Sequence, residues 1–194
     1  MKGKLPDNTA RAAAIVGARS CTPYGEKYAL EYGKKLAECG IQVISGLARG
    51  VEGSDREVLC WEVERPLLFG ERVDVCYPKN HMGLYLDILE QEGGILSELP
   101  PGTPPLPQHF PRRNRIISAL SDIVLVMEAR ERSGSLITAD LALDYGREVY
   151  AVPGNVTSAL SYGTNASLSR AVPSLRRAAI SCRHWALHIK KQKR

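Results

Sequence analysis

One short segment of this chain combines three arginines with a phenylalanine and an asparagine. Arg112, Arg113 and Arg115 fall within four positions, beside Phe110 and Asn114. Guanidinium groups can form bidentate contacts with phosphates, and an aromatic ring offers a face on which a base can stack. Together, the cations and the ring predict contact with single-stranded nucleic acid. The alternative is a solvated basic start of a helix.

Three other short segments have the composition of phosphate-binding loops. Each places glycine or serine at the end of a predicted strand or at the start of a predicted helix, where backbone N–H groups can approach an anion. The candidate residues are Gly17, Arg19, Ser45, Gly46, Ser133, Gly134 and Ser135. Any one of these segments is as readily an ordinary turn, because glycine and serine are common turn residues. Their combination on one sheet favours anion binding.

Residue patterns for catalysis or metal binding are weak. The His residues show no H-E-x-x-H spacing, and His184 and His188 lack a nearby carboxylate in the sequence. Glu98 and Glu128 could act as acid or base, but surface or capping roles fit them better. The segment at Gly17 lacks the G-x-G-x-x-G spacing of a dinucleotide site. The sequence therefore predicts no catalytic residue, no metal and no cofactor.

These segments need a sheet to bring them together, and the hydrophobic pattern predicts one. A strand at 12–17, a helix at 24–39 and a strand at 41–44 form a βαβ unit. Further strands are expected at 95–96, 122–127 and 148–152, with a helix at 135–145 and an ordered loop or a short extended segment at 100–111. The predicted fold class is α/β, a Rossmann-like doubly wound, mainly parallel sheet with helices on both faces. Its ligand site should lie beyond the carboxyl ends of the strands.

Composition places the chain among globular domains but assigns little to its overall charge. The 194 residues are 44% hydrophobic, and no apolar run approaches the length of a membrane span. Five cysteines without C-x-x-C spacing, and no secretory signal, predict a cytoplasmic protein. The net charge is +5, yet residues 1–169 carry 18 basic and 21 acidic side chains, a net of −3. The basic excess therefore belongs to the last 25 residues.

Seven motifs, in order along the chain, resemble those of the bacterial DNA-processing protein A (DprA, or Smf) family. They are Ala14-Ile-Val-Gly-Ala-Arg19, Ser45-Gly-Leu-Ala-Arg-Gly50, Tyr77-Pro-Lys-Asn80, Leu96-Ser-Glu-Leu-Pro-Pro-Gly-Thr-Pro-Pro105, Phe110-Pro-Arg-Arg-Asn-Arg-Ile-Ile117, Glu131-Arg-Ser-Gly-Ser-Leu-Ile-Thr-Ala139 and Gly146-Arg-Glu-Val-Tyr-Ala-Val-Pro-Gly154. The resemblance runs from about Ala12 to Asn165. It implies a Rossmann-like domain over residues 1–165.

The resemblance also implies function. Members of the family bind single-stranded DNA, protect incoming strands during natural transformation, load the recombinase RecA and commonly dimerise through this domain. Carried over by position, Arg19 and the 110–115 segment would lie in a basic DNA pocket. Phe110 would stack on a base, and Gly46, Gly134 and Ser135 would supply backbone donors to phosphate. No catalytic role is implied.

Two stretches, 54–72 and 166–194, depart from the family pattern. Choosing codons for 60–69 and reading them one base out of frame yields Leu-Gly-Gly-Arg-Thr-Pro-Leu-Ala-Val, which restores the family's glycine-rich segment. The same operation on 166–173 restores a second family segment. The hypothesis is that both stretches are out of frame, which leaves an atypical basic tail at 166–194 in place of a further winged-helix-like domain. Spacing in the tail is also that of a basic amphipathic helix, although chance periodicity explains it as well.

Two alternative functions stay open at this point. Related Rossmann-like enzymes hydrolyse nucleoside monophosphates, but their glycine loop is followed by a glutamate, whereas here Asp140 is the nearest acid. A frameshifted chain could also lack function, because the stretch at 54–72 would then lose a core helix and a central strand. Release of free base from AMP would identify the enzyme, and a missing cooperative melt would identify the non-functional chain.

Overall fold

A computed structural model describes residues 1–5, 7, 9–18, 20–46, 67–69, 73–74, 76, 82–104, 106 and 108–169. The strands in this part of the chain are β1 (Lys2–Gly3), β2 (Ala12–Val16), β3 (Gln42–Ser45), β4 (Leu67–Phe69), β5 (Gly94–Leu96), β6 (Ile123–Val126) and β7 (Glu148–Ala151). The helices are α1 (Pro23–Glu38), α2 (Met82–Glu90), α3 (His109–Leu120), α4 (Gly134–Asp144) and α5 (Tyr162–Ser169).

The described strands form one sheet in the order β1-β5-β4-β3-β2-β6-β7. All neighbouring pairs are parallel except β1 with β5, which is antiparallel. From β2 the chain first builds the sheet outward through β3, β4 and β5, and then returns to the other side of β2 with β6 and β7. The direction of winding therefore reverses between β2 and β6. This arrangement confirms the predicted α/β, Rossmann-like fold class.

Both faces of the sheet are covered, and β2 contributes to both layers. Ala13 and Ile15 pack into one apolar cluster, with Tyr32 and Leu36 of α1 and with side chains of α2. Alternate residues of β2 pack into a second cluster, with Ile117 of α3 and with alanines of α4. Because successive side chains of a strand point to opposite faces, a strand covered on both faces reads as a continuous apolar run. The run at 12–16 is of this type.

Local sequence signals fix the ends of α1. Thr22 is the N-cap, and its Oγ1 accepts a hydrogen bond from the Gly25 backbone N–H, at 3.3 Å. Pro23 occupies the first turn, where its missing N–H costs nothing. At the other end, Gly40 has a φ of +68°, and its N–H donates to the Ala37 carbonyl at 2.8 Å. A residue with a Cβ would be strained there, so the glycine ends the helix.

The structure contains elements that the sequence patterns do not predict. The end of the expected loop at 100–111 is already helical, since α3 begins at His109 and has Pro111 in its first turn. Proline is tolerated there because the first N–H groups of a helix have no intrahelical acceptor. Helix α2 is a second such element.

Strand β4 corrects the expectation that the atypical stretch at 54–72 lacks a central strand. Leu67 and Leu68 pair with Ile44 and Ser45 of β3, and residues 67–69 pair with 94–96 of β5. The three residues of β4 are Leu, Leu and Phe, which suit a strand inside a parallel sheet. The rest of this stretch, and the tail from 170 onward, lie outside the described residues.

Two further expectations concern membranes and cysteines. No helix in the described ranges is long and apolar enough to cross a bilayer. Cys21 and Cys76 are not disulfide-bonded, and burial raises the pKa of the Cys76 thiol. Cys39 is disulfide-bonded, which the cysteine spacing does not predict.

Candidate functional site

A cleft of about 340 Å³ opens at the carboxyl edge of the sheet, where the winding reverses between β2 and β6. Three segments that are distant in sequence meet there: the loop after β2, the first turns of α3, and the segment from the end of β6 into α4. We call this the main cleft, and it is lined by Gly17, Ala18, Ser20, Phe110, Pro111, Arg113, Asn114, Arg130, Arg132, Ser133, Gly134, Ser135, Thr138 and Leu160. Its position is the one expected for a ligand site in an open α/β sheet.

The N-terminus of α4 forms one wall of the main cleft. Ser133 is the N-cap, and its Oγ accepts a hydrogen bond from the Ser135 N–H at 3.4 Å and lies 2.7 Å from the Ser135 Oγ. Gly134 is exposed, and a Cβ built there would meet nothing within 4 Å. The backbone at this point is therefore open to a ligand, and the positive end of the helix dipole favours an anion.

Arg113 lies on the opposite wall and is held in place by protein groups. It is only 9% exposed. Its Nη1 donates to the Gly46 carbonyl after β3, and its Nη2 donates to the Asn114 Oδ1 at 3.2 Å. The guanidinium lies 5.7 Å from the centre of the Phe110 ring, within cation–π distance. A fixed cation and a half-buried aromatic ring thus face the same cleft.

Two arginines at the mouth of the main cleft were missed as site residues. Arg130 and Arg132 follow β6, are exposed, and form no ion pair with the described residues. The lining described here contains no Asp or Glu, so the cleft is positively charged although residues 1–169 are net negative. Their position just after a central strand was the signal that could have identified them.

A buried carboxylate supports the loop behind the main cleft. Glu128 is 3% exposed, and its two oxygens accept from the Thr22 N–H at 2.8 Å and from the Thr22 hydroxyl at 2.6 Å. A Cβ on Gly25 would approach its Oε2 to 2.5 Å, so glycine makes room for the carboxylate. Glu128 therefore acts at the N-terminus of α1, in the capping role expected from the sequence, and fixes the loop that carries Gly17 and Ser20.

The 110–115 segment does not face a single pocket, because it is helical. Phe110, Arg113 and Asn114 share the helix face toward the main cleft, as their three- and four-residue spacing requires. Arg112 and Arg115 are exposed outside the main-cleft lining. Arg115 forms an ion pair with Glu98, which gives Glu98 a surface role.

The remaining predicted residues divide in the same way. Ser45 is fully buried at the end of β3, and its Oγ has no hydrogen-bond partner among the described residues. Gly46 contributes its carbonyl to Arg113 rather than a donor to the cleft. Arg19 lies outside the described residues. Of the predicted set, the structure brings together Gly17, Phe110, Arg113, Asn114, Ser133, Gly134 and Ser135.

The main cleft offers binding groups but no recognisable acid–base pair. Within the described part of the chain, no group of three or more His, Cys, Asp or Glu residues is arranged to hold a metal ion. The main-cleft lining defined above includes no His or carboxylate beside its serines. Nucleoside-monophosphate hydrolysis would need an acid close to the glycine loop, and Asp140 is not in that lining.

Comparison with known sequences gives the same family from two directions. Residues 1–179 match the sequence family described as DNA recombination-mediator protein A. Protein Smf of Escherichia coli is 44% identical over 151 residues, which is 77% of this chain and 40% of that protein. The chain thus spans less than half the length of this curated relative.

Solved structures of proteins named DNA processing protein A have the same fold as this chain. DNA processing protein A (DprA) from Streptococcus pneumoniae superimposes with a TM-score of 0.78 and 34% identity, covering 86% of this chain and 59% of that chain. DNA processing protein A from Helicobacter pylori, whose structure is described in terms of its single-stranded DNA binding mode, superimposes with a TM-score of 0.77 and 27% identity. That alignment covers 96% of this chain and 85% of the other.

Proposed function

We propose, since the chain belongs to the DNA recombination-mediator protein A family, that its main cleft binds single-stranded DNA. One observation carries the proposal. A fixed arginine, an aromatic ring and a helix N-terminus, from segments far apart in sequence, converge on a cleft whose described lining has no acidic residue. Phosphate attracts the first and third of these groups, and a nucleobase attracts the second. The structure of the Helicobacter pylori relative is likewise described in terms of single-stranded DNA binding.

In the proposed complex, a phosphate lies between the N-terminus of α4 and the guanidinium of Arg113. The adjacent base stacks on Phe110, which leaves its hydrogen-bonding edge free and makes binding tolerant of sequence. Arg130 and Arg132 contact neighbouring phosphates at the mouth of the cleft. The phosphates are thus bound by backbone N–H groups and side-chain cations, and the base is bound by the ring. Binding of this kind forms and breaks no covalent bond.

The wider role follows from family membership. We propose that the protein acts without catalysis of its own in the cytoplasm, where it protects incoming strands during natural transformation and loads RecA recombinase, as a homodimer through this domain. Residues 1–165 are proposed as the DNA-binding domain and 166–194 as an atypical tail. The proposed boundary falls within α5, which continues to Ser169. The side-chain amide of Asn165 exchanges two hydrogen bonds of 3.2 Å with the backbone of Gly154 and ties this helix to the end of β7.

Substitutions in the main cleft test the proposal. Phe110→Ala should weaken binding of a fluorescein-labelled oligothymidylate about tenfold, because stacking contributes about 1–3 kcal/mol per base. Arg113→Gln should weaken it further and make the fall of affinity with salt less steep by about 0.7 in a plot of log K against log salt. Fluorescence anisotropy at several salt concentrations measures both effects.

Two controls make the result interpretable. Lys34→Ala removes one positive charge from an exposed position on α1 and should leave affinity almost unchanged. Circular dichroism melts of Phe110→Ala and Arg113→Gln separate loss of contacts from loss of fold. Folded variants that bind as tightly as the unmodified protein would rule out the main cleft as the DNA site.

A further inference from the structure

A second cleft, of about 180 Å³, lies on the other side of α3. It is lined by Ser97, Glu98 and Leu99, which follow β5, and by His109, Arg112, Arg113 and Ile116 of α3. Arg113 lines both clefts, since it also belongs to the main cleft. The first turns of α3 therefore form a ridge, with Phe110 facing the main cleft and Arg112 facing the second cleft.

The charge of the second cleft suits a polyanion. Arg112 is exposed and forms no ion pair within the described ranges. The only carboxylate in the described lining is that of Glu98, and Arg115 neutralises it across the rim in an ion pair with both partners about half exposed. With Arg113 at its base, the cleft and its rim carry three cations against one anion.

The two clefts are spaced as successive sites on one strand of nucleic acid. Both open at the carboxyl edge of the sheet, one after β5 and the other after β2 and β6. Three strand spacings separate β5 from β2 in the sheet order, which corresponds to about 14 Å. An extended polynucleotide covers that distance in a few nucleotides, and single-stranded DNA sites commonly span about four or more nucleotides.

We propose that the second cleft is a separate nucleotide subsite, reached when a bound strand continues over the ridge of α3 from the main cleft. Arg113 is the common contact of both subsites, and Arg112 takes the phosphate of the second. This inference rests on the proposed function of the main cleft. It adds a direction to the bound strand, from the switch point between β2 and β6 toward β5, and a minimum length of ligand that the main cleft alone does not require.

Two substitutions test the second cleft, one that removes a positive charge and one that removes a negative charge. Anisotropy titrations compare oligothymidylates of about four and about twelve nucleotides, which span the range of single-stranded DNA sites. Arg112→Ala should lower affinity for the longer oligonucleotide about tenfold, the loss of one charge-assisted hydrogen bond, and the loss should be confined to that length. Glu98→Gln removes the carboxylate from the same cleft and should raise affinity for the longer oligonucleotide.

The outcomes separate this inference from the proposed function. If Arg112→Ala weakens both lengths equally, or neither, the second cleft is not a subsite. If Phe110→Ala leaves the short oligonucleotide bound as before, the main cleft itself is not the DNA site, whatever the longer oligonucleotide does. Lys34→Ala serves again as the matched loss of one exposed cation on another element.

Discussion

Neighbouring arginines on α3 have different surroundings, and the helix accounts for the difference. Arg113 is buried, and its guanidinium donates hydrogen bonds to Gly46 and Asn114, whereas Arg112 is exposed. Consecutive residues of an α-helix point about 100° apart, so Arg113 lines the main cleft as well as the second cleft, whereas Arg112 lines only the second. The same scale explains Glu128, whose burial is tolerated because two donors from Thr22 and the N-terminus of α1 satisfy its carboxylate.

Thr22→Val is expected to destabilise the protein by about 1–3 kcal/mol. The substitution removes the hydroxyl that caps α1 and donates to Glu128, which leaves a buried carboxylate with one donor fewer. Thr22→Ser keeps the hydroxyl and should lower the free energy of unfolding much less. Urea unfolding of the two variants measures the difference, and equal stability of Val and Ser at this position would contradict the capping role of Thr22.

At the scale of elements, α5 is seated directly on the segment that carries the cleft arginines. The Gly163 N–H donates to the Ala129 carbonyl at 2.8 Å, and the Ala129 N–H donates to the Leu160 carbonyl at the same distance. A Cβ on Gly163 would lie 2.5 Å from the Arg130 carbonyl oxygen, so the helix can approach this closely only with glycine. The position of α5 and the shape of the main cleft are therefore coupled.

Gly163→Ala is expected to lower stability by about 1–3 kcal/mol and to weaken DNA binding as well. The added methyl group meets backbone rather than a movable side chain, so α5 or the Ala129–Arg130 segment must shift. Gly134→Ala is the matched control for stability, because it has open space around it and starts a helix. Thermal melts of both variants and anisotropy titrations of Gly163→Ala test the coupling. A Gly163→Ala variant as stable as Gly134→Ala would refute it.

Sequence patterns predicted the strands that are buried on both faces. They did not predict elements that depend on where a helix starts or on contacts with distant parts of the chain. The apolar runs at β2, β3, β6 and β7 stand out because parallel strands are covered by helices. The start of helix α3 was predicted only as the alternative for the 110–115 segment, because proline usually interrupts a helix unless it lies in the first turn. The convergence of Gly17, Phe110 and Ser133 could be inferred from strand ends, but the separation of Arg112 from Arg113 depends on helical phase. Arg130 was missed because the charges alternate in sign along Arg130-Glu131-Arg132, which is typical of a solvated surface segment.

At the scale of the whole molecule, charge and titration depend on how the fold distributes its groups. Tyr32 and Tyr150 both lie in the apolar cluster on the α1 face of the sheet. Burial raises the pKa of Tyr32 above its ordinary value of 10.0, and the charge of Glu31 adds to the effect. Burial also raises the pKa of Tyr150, with a further contribution from its hydrogen bond to Glu148. Neither phenol ionises readily while the protein is folded.

Stability should therefore fall in alkaline solution. A raised pKa in the folded state means that the unfolded chain loses its tyrosine protons first, so the contribution of these groups is complete below pH 10.0 and declines above it. The midpoint of urea unfolding should be lower at about pH 11 than at about pH 9. Tyr32→Phe should reduce this dependence, and a midpoint unaffected by the change of pH would contradict the assignment.

The hydrogen bonds of Arg113 to Gly46 and Asn114 have a consequence for the kinetics of the proposed DNA binding. An arginine that is immobilised on folding has already lost its rotamer freedom, a cost of up to about 2 kcal/mol that an arriving strand does not meet again. Arg130 and Arg132, exposed at the mouth, keep that freedom and can meet a strand before it settles. The association rate of the strand would then be high and dependent on salt, because it depends on the exposed arginines. The dissociation rate would be set by the immobilised Arg113.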